Sequence, residues 1–161
     1  MFEITSHSPE ETKRIAAAVG GLLLPGDLVN LSGELGAGKT LFVKGLAGAL
    51  DIPEEMVTSP TFSILNEYEG TGVLLYHFDF YRLGSERELE NIGFQDYFYG
   101  SGISVVEWGD LFPEHLPDDR LDVVMEKTGP QARRLSFSGF GERGRHIAEQ
   151  VRRLLSVHPG H

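Results

Sequence analysis

Apolar positions along this chain switch between a helical period and strand-like runs, and the switches outline the elements. Ile15, Ala16 and Val19 recur at helical spacing. In front of them Ser8 is an N-cap candidate, Pro9 suits the first helical position, and Glu11 completes a capping box. Gly20-Gly21 stops this helix, and Pro25-Gly26 turns the chain into a short strand over 27–32 with Leu28, Val29 and Leu31 apolar. After a glycine-rich interval, Leu41, Phe42, Leu46, Ala49 and Leu50 return to the helical period. A polar connection from Pro53 to Met56 leads on to Phe62–Tyr68 and Val73–Phe78, two strands around the turn Glu69-Gly70-Thr71-Gly72. So short a loop forces the two strands antiparallel, which makes the sheet a mixed one.

Ser85, with Glu88 three residues on, caps a short helix whose Glu86, Arg87, Glu88 and Glu90 form a solvated face. Phe94, Tyr97, Phe98 and Tyr99 read as core packing, with any exposed part a partner surface, and Ile103–Val106 as a buried strand that ends at Glu107-Trp108. Pro113 and Pro117 mark a loop. Leu121–Met125 and Arg134–Phe137 alternate like an antiparallel pair, with Thr128-Gly129-Pro130 at the turn. A last helix runs from about Glu142 to Ser156, with Ile147, Val151, Leu154 and Leu155 apolar. Arg143, Arg145, Arg152 and Arg153 sit mainly on its other face, either solvated or a docking surface for an acidic partner.

The chemistry lies in the glycine-rich interval. Gly33-Glu34-Leu35-Gly36-Ala37-Gly38-Lys39-Thr40 fits G-x-x-x-x-G-K-[ST], the phosphate-cradling loop of P-loop NTPases, in the strand–loop–helix setting that the motif requires. Gly36 and Gly38 allow the backbone to curl so that successive N–H groups converge on an anion. Lys39 reaches the β- and γ-phosphates, the Thr40 hydroxyl ligates magnesium, and the following helix adds its N-terminal dipole. The fold class that follows is α/β, a three-layer P-loop NTPase fold with a mixed sheet flanked by helices. It forms one domain whose core runs from about residue 8 to 140.

Two carboxylates end apolar strands. Asp79 has the form of a Walker B residue that holds magnesium directly or through water. A strand-end Asp is ordinarily a turn cap, but the loop calls for a carboxylate opposite Thr40, which favours the functional reading. Glu107 is the second: it orients an attacking water or holds a magnesium-bound one, or else is a structural strand-end acid.

Composition narrows the field. A chain of 161 residues without cysteine is long enough for a buried core and excludes disulfides and thiolate metal sites. The start, Met1-Phe2-Glu3-Ile4, lacks the basic and apolar regions of a signal peptide, and no apolar run reaches membrane-spanning length. A cytoplasmic protein without a membrane partner is expected. The net charge of −10 argues against a broad nucleic-acid surface, because phosphate neutralisation needs clustered Lys and Arg. A magnesium nucleotide needs only a local positive potential. The six histidines show no ligand spacing, so no zinc site is assigned.

A GTPase would carry D-x-x-G and N-K-x-D, and neither occurs here. A small-molecule kinase needs an acceptor pocket and an arginine-bearing lid, yet Arg82 and Arg87 are the only arginines between residues 15 and 119. An ATPase serving a larger complex needs neither, and a nucleotide sensor without turnover would share the same site. The Gly33–Thr40 run, Ser59-Pro60-Thr61-Phe62, His77-Phe78-Asp79-Phe80-Tyr81-Arg82-Leu83 and Glu107-Trp108 together resemble the TsaE family, from about residue 8 to the Arg133 region. The final basic helix lies outside that pattern.

The resemblance implies a magnesium-dependent bacterial ATPase that supports threonylcarbamoyladenosine (t6A) formation in tRNA. It would act in complex with TsaD and TsaB and meet tRNA only through them. It would be weakly active alone, with ATP and Mg2+ as cofactors. The implied nucleotide-binding set is Glu34, Leu35, Gly36, Ala37, Gly38, Lys39, Thr40 and Leu41. Lys39, Thr61, Asp79 and Glu107 are the implied catalytic residues, Thr61 as a switch-like sensor of the γ-phosphate. Thr40, Asp79 and Glu107 are the implied magnesium ligands. Glu34 and Trp108 match family motif positions without a role that chemistry supplies. The family also carries a Gly-Arg pair near here; Pro130–Ala132 stand between Gly129 and Arg133, so that correspondence stays open.

Overall fold

A computed structural model describes residues 1–34, 36–58, 64–81, 86–91 and 93–156. Among them, strands β1 (Phe2–Ser6), β2 (Leu28–Gly33), β3 (Leu65–Glu69), β4 (Leu74–Asp79), β5 (Ile103–Glu107), β6 (Arg120–Lys127) and β7 (Arg133–Phe140) form one sheet. Its order is β1-β7-β6-β2-β5-β4-β3. The helices are α1 (Pro9–Gly20), α2 (Lys39–Gly48), α3 (Glu86–Asn91), α4 (Phe94–Phe98) and α5 (Gly141–Ser156). β4, β5, β2 and β6 run parallel, and β3, β7 and β1 join antiparallel. The mixed sheet expected from the short 69–72 turn is therefore present.

The central strands are apolar on both faces because helices cover both. Val29, Leu31 and Val105 face α1, α2 and α5 through Ile15, Val19, Phe42, Leu46, Ile147 and Val151. Leu28, Phe78 and Val106 face the other way, against Phe94 and Phe98 of α4 and Leu116. Successive residues of a strand point to opposite faces, so Leu28-Val29 and Val105-Val106 each feed both layers. No helix among the described residues is long and apolar enough to cross a membrane.

Several local expectations need correction. The hydrophobic pattern predicts no element before Ser8, yet β1 pairs with β7, and Phe2 stacks on Phe137 with centroids 4.9 Å apart. An edge strand of five residues with apolar positions only at Phe2 and Ile4 is too short for its alternation to register. The capping box at α1 is shifted: Ser8 Oγ accepts from the Glu11 N–H, but the Glu11 carboxylate returns to the N–H of His7. On α2, Val43 and Ala47 are buried and Ala49 is exposed. Tyr99 is exposed as well, unlike Phe94 and Phe98. The Phe62 start of the β3 strand and the Ser85 cap lie outside the described residues.

Three of the four α5 arginines turn inward or pair along the helix, while Arg145 is exposed. Arg143 donates from Nε and an Nη to the two oxygens of buried Asp27, at 3.0 and 2.8 Å. Arg152 and Arg153 both pair with Glu149. These pairings engage Arg143 against Asp27, and Arg152 and Arg153 within the helix. Leu154 faces solvent, while Leu155 packs on the core beside Ile147 and Val151.

Candidate functional site

β2 lies between two parallel neighbours, β5 and β6, and its carboxyl end opens into the glycine-rich loop. In open α/β sheets this end of the strands is where ligands sit. Crowding and backbone sign explain the glycines. A Cβ on Gly33 would stand 2.7 Å from the Met125 carbonyl oxygen, and Gly36 and Gly38 have φ of +84° and +99°. Gly38 is the N-cap of α2 and offers no capping side chain. The first bond of the helix is Phe42 N–H to Gly38 O, at 3.0 Å. The N–H groups of Lys39, Thr40 and Leu41 therefore precede any helical partner, and they point along the dipole axis where an anion is favoured.

Lys39 is almost fully buried, and its ammonium lies between two groups. Nζ is 3.8 Å from Glu107 Oε1 and 4.1 Å from the centroid of the Trp108 ring. Glu107 closes β5, and Asp79 closes the parallel neighbour β4 as its direct register partner, so the two carboxylates project side by side. Asp79 also does a turn cap's work, since its Oδ1 accepts from the Tyr81 N–H at 2.9 Å. The turn-cap and functional readings are therefore compatible.

Burial sets the protonation tendencies. It lowers the Lys39 ammonium below its ordinary value, against the attraction of Glu107, Asp79 and Asp110. It also raises the Asp79 carboxyl above the usual carboxylate range; the Tyr81 N–H opposes this and the neighbouring Glu107 adds to it. A cation held between these acids would reverse that rise.

Two residues of the site were not assigned roles from sequence. His77, fully buried on β4, brings Nε2 to 2.5 Å from Glu107 Oε2. The signal was available: His77 stands two residues before Asp79 and so shares its face of the strand. Arg133, at the start of β7, donates to the loop carbonyls of Ala37 at 2.9 Å and Gly36 at 3.3 Å. No local pattern announces that contact.

The remaining candidates divide by position. Glu34 is exposed, and its carbonyl accepts from the Ala37 N–H at 3.0 Å. Thr40 and Leu41 sit half-buried in the first turn of α2. Trp108, half-buried, has a left-handed φ of +61° and packs against Tyr81 at 4.9 Å between ring centroids. Leu35, Thr61, the rest of the Ser59–Phe62 block and Arg82 lie outside the described residues.

The donor set suits magnesium. It offers a hydroxyl and two carboxylates, all hard oxygen donors. Among the described residues there is no group of three or more His, Cys, Asp or Glu that could form an all-protein cage. Magnesium does not need one, because it keeps waters and shares its shell with one or two carboxylates and substrate phosphates.

Comparison with known proteins agrees with this architecture. The family model described as "Threonylcarbamoyl adenosine biosynthesis protein TsaE" matches residues 6–135. The chain is 43% identical over 146 residues to the tRNA threonylcarbamoyladenosine biosynthesis protein TsaE of Bacillus subtilis, covering 91% of this chain and 90% of that one. The protein of the same name from Treponema pallidum is 49% identical over 120 residues, covering 74% of this chain and 87% of that one. A crystal structure of Bacillus subtilis YdiB superposes with a TM-score of 0.79 at 37% identity, covering 95% of each chain.

Proposed function

The chain belongs to the TsaE family, and from that premise we propose that it is a magnesium-dependent ATPase subunit supporting t6A formation in tRNA. It acts in the cytoplasm, in complex with TsaD- and TsaB-type proteins, and meets tRNA only through them. The observation that carries this reading is the position of Lys39. Its ammonium lies in the mouth of a glycine-rich loop, held by Glu107 and Trp108 rather than by solvent.

The residues divide the work as follows. The N–H groups at the start of α2 and the Lys39 ammonium bind phosphate, which displaces Glu107 as the partner of Lys39. Thr40, Asp79 and Glu107 would hold magnesium, which when bound neutralises the phosphate charge. Glu107, anchored by His77, would orient the attacking water. Thr61 senses the γ-phosphate. The remaining machinery comes from the partner proteins.

The test is ATP hydrolysis by the purified chain with magnesium or with a chelator, alone and with TsaB, TsaD and tRNA. Weak magnesium-dependent turnover that rises with the partners is the expected result. Vigorous turnover indifferent to them would instead indicate a self-sufficient phosphotransferase.

A further inference from the structure

Resting on the nucleotide-site reading above, we propose that Arg133 is a positioning residue that holds the glycine-rich loop in its anion-binding shape by capturing the loop's outward carbonyls. Its guanidinium reaches 96 residues back along the chain to place Nε–H on Ala37 O at 2.9 Å. One Nη donates to Gly36 O at 3.3 Å. The other is tied to the β6–β7 turn, through Ala132 O at 2.9 Å and Gly129 O at 3.3 Å. The fork is thus fastened to the sheet at one side and to the loop at the other.

The consequence follows from peptide geometry. In a trans peptide the C=O and N–H point in opposite directions. Holding the Ala37 carbonyl on the Arg133 side therefore aims the Gly38 N–H into the loop. The peptide before it is held at both ends, its carbonyl by Arg133 and its N–H by the Glu34 carbonyl. Glycine makes this restraint necessary. Gly36 and Gly38 have positive φ, and peptides flanked by glycine flip at little cost. A flip would turn a carbonyl dipole toward phosphate in place of an N–H.

Arg133 also packs directly against the loop: a Cβ on Gly38 would stand 3.6 Å from its Nε. Of the five N–H groups of a guanidinium, those to Ala37, Gly36, Gly129 and Ala132 are committed to protein carbonyls. That commitment marks a loop brace rather than a phosphate ligand. A lysine, with one point charge and no planar fork, cannot span the same acceptors.

The experiment compares ADP and ATP affinities, by calorimetry, of the wild-type chain, Arg133→Ala and Arg133→Lys, with melting temperatures recorded alongside. Losing the preformed loop lowers apparent affinity by the fraction of time the loop is competent, so both variants are expected to bind ADP and ATP about tenfold more weakly, by the same factor for each. Arg133→Lys keeps the charge and stem, and it reports even where Arg133→Ala does not fold. Weakened ATP binding with unchanged ADP binding would make Arg133 a γ-phosphate contact and overturn the proposal. So would a lowered melting temperature with unchanged affinities, or a lysine variant that binds like wild type. A wild-type chain that bound neither nucleotide would defeat the nucleotide-site reading itself, and the brace with it.

Discussion

Glu107 is held between His77 and Lys39: one carboxylate oxygen meets His77 Nε2 at 2.5 Å and the other faces Lys39 Nζ at 3.8 Å. All three side chains are buried, so removing the imidazole leaves a buried carboxylate short of a hydrogen bond. His77→Leu is expected to cost about 2 kcal/mol and lower the melting temperature by roughly 4–8 °C. His77→Gln, which can still donate from a similar position, should recover most of that loss. Equal melting temperatures for wild type and His77→Leu would show that the contact carries no weight.

Lys39 should be the largest single contributor to nucleotide affinity. Lys39→Ala removes the ammonium and is expected to weaken ATP binding about a hundredfold, as loss of a charge-assisted contact does. Trp108, the only tryptophan, offers the readout, because Lys39 lies over its ring. Added ATP or ADP should change its emission as the ammonium moves to phosphate. An emission blind to nucleotide at saturating concentration would mean that Lys39 stays where it is.

Asp79→Ala separates hydrolysis from binding. Without the carboxylate beside Glu107, magnesium-dependent turnover is expected to fall at least about a hundredfold, while some nucleotide affinity survives through the loop amides and Lys39. Steady-state hydrolysis and calorimetric titration on the same preparation would measure both. Wild-type turnover in this variant would remove Asp79 from the site.

Arg143 fastens α5 to the body through Asp27. Asp27 is buried but Arg143 is partly exposed, and solvent screening reduces the pair's worth to about 1–2 kcal/mol. Arg143→Ala should lower stability by that amount and raise hydrogen exchange in α5 more than in α2. Uniform exchange across both helices would show that α5 is held by its apolar stripe alone.

Glu149 offers a pH test of the same helix. Hydrogen bonding from Arg152, then Arg153, lowers its carboxyl from 4.5 to about 2. A depressed folded pKa means that the pair's contribution is present above pH 4.5 and is lost as pH falls toward 2. NMR titration of the Glu149 side-chain carboxyl should give a midpoint near 2, returning toward 4.5 in the Arg152→Ala, Arg153→Ala double variant. A midpoint of 4.5 in the wild-type chain would mean the ion pairs do not persist in solution.

What the sequence alone determined is local. Gly33 to Thr40, the helix after it and the strand before it announced the loop, because strand, turn and helix signals all lie within a few residues. The apolar runs ending at Asp79 and Glu107 announced two strand-end acids, and the short 69–72 turn announced a mixed sheet. Strand order alone set those two acids side by side, since it puts β5 between β2 and β4. The clasp of His77 on Glu107, the docking of Arg143 on Asp27 and the grip of Arg133 on Ala37 and Gly36 likewise belong to the tertiary structure. Each joins residues far apart in the chain, and spacing along a sequence reports only neighbours within a turn or along a strand. Long-range partners are chosen by which strands pair and which faces the helices must cover.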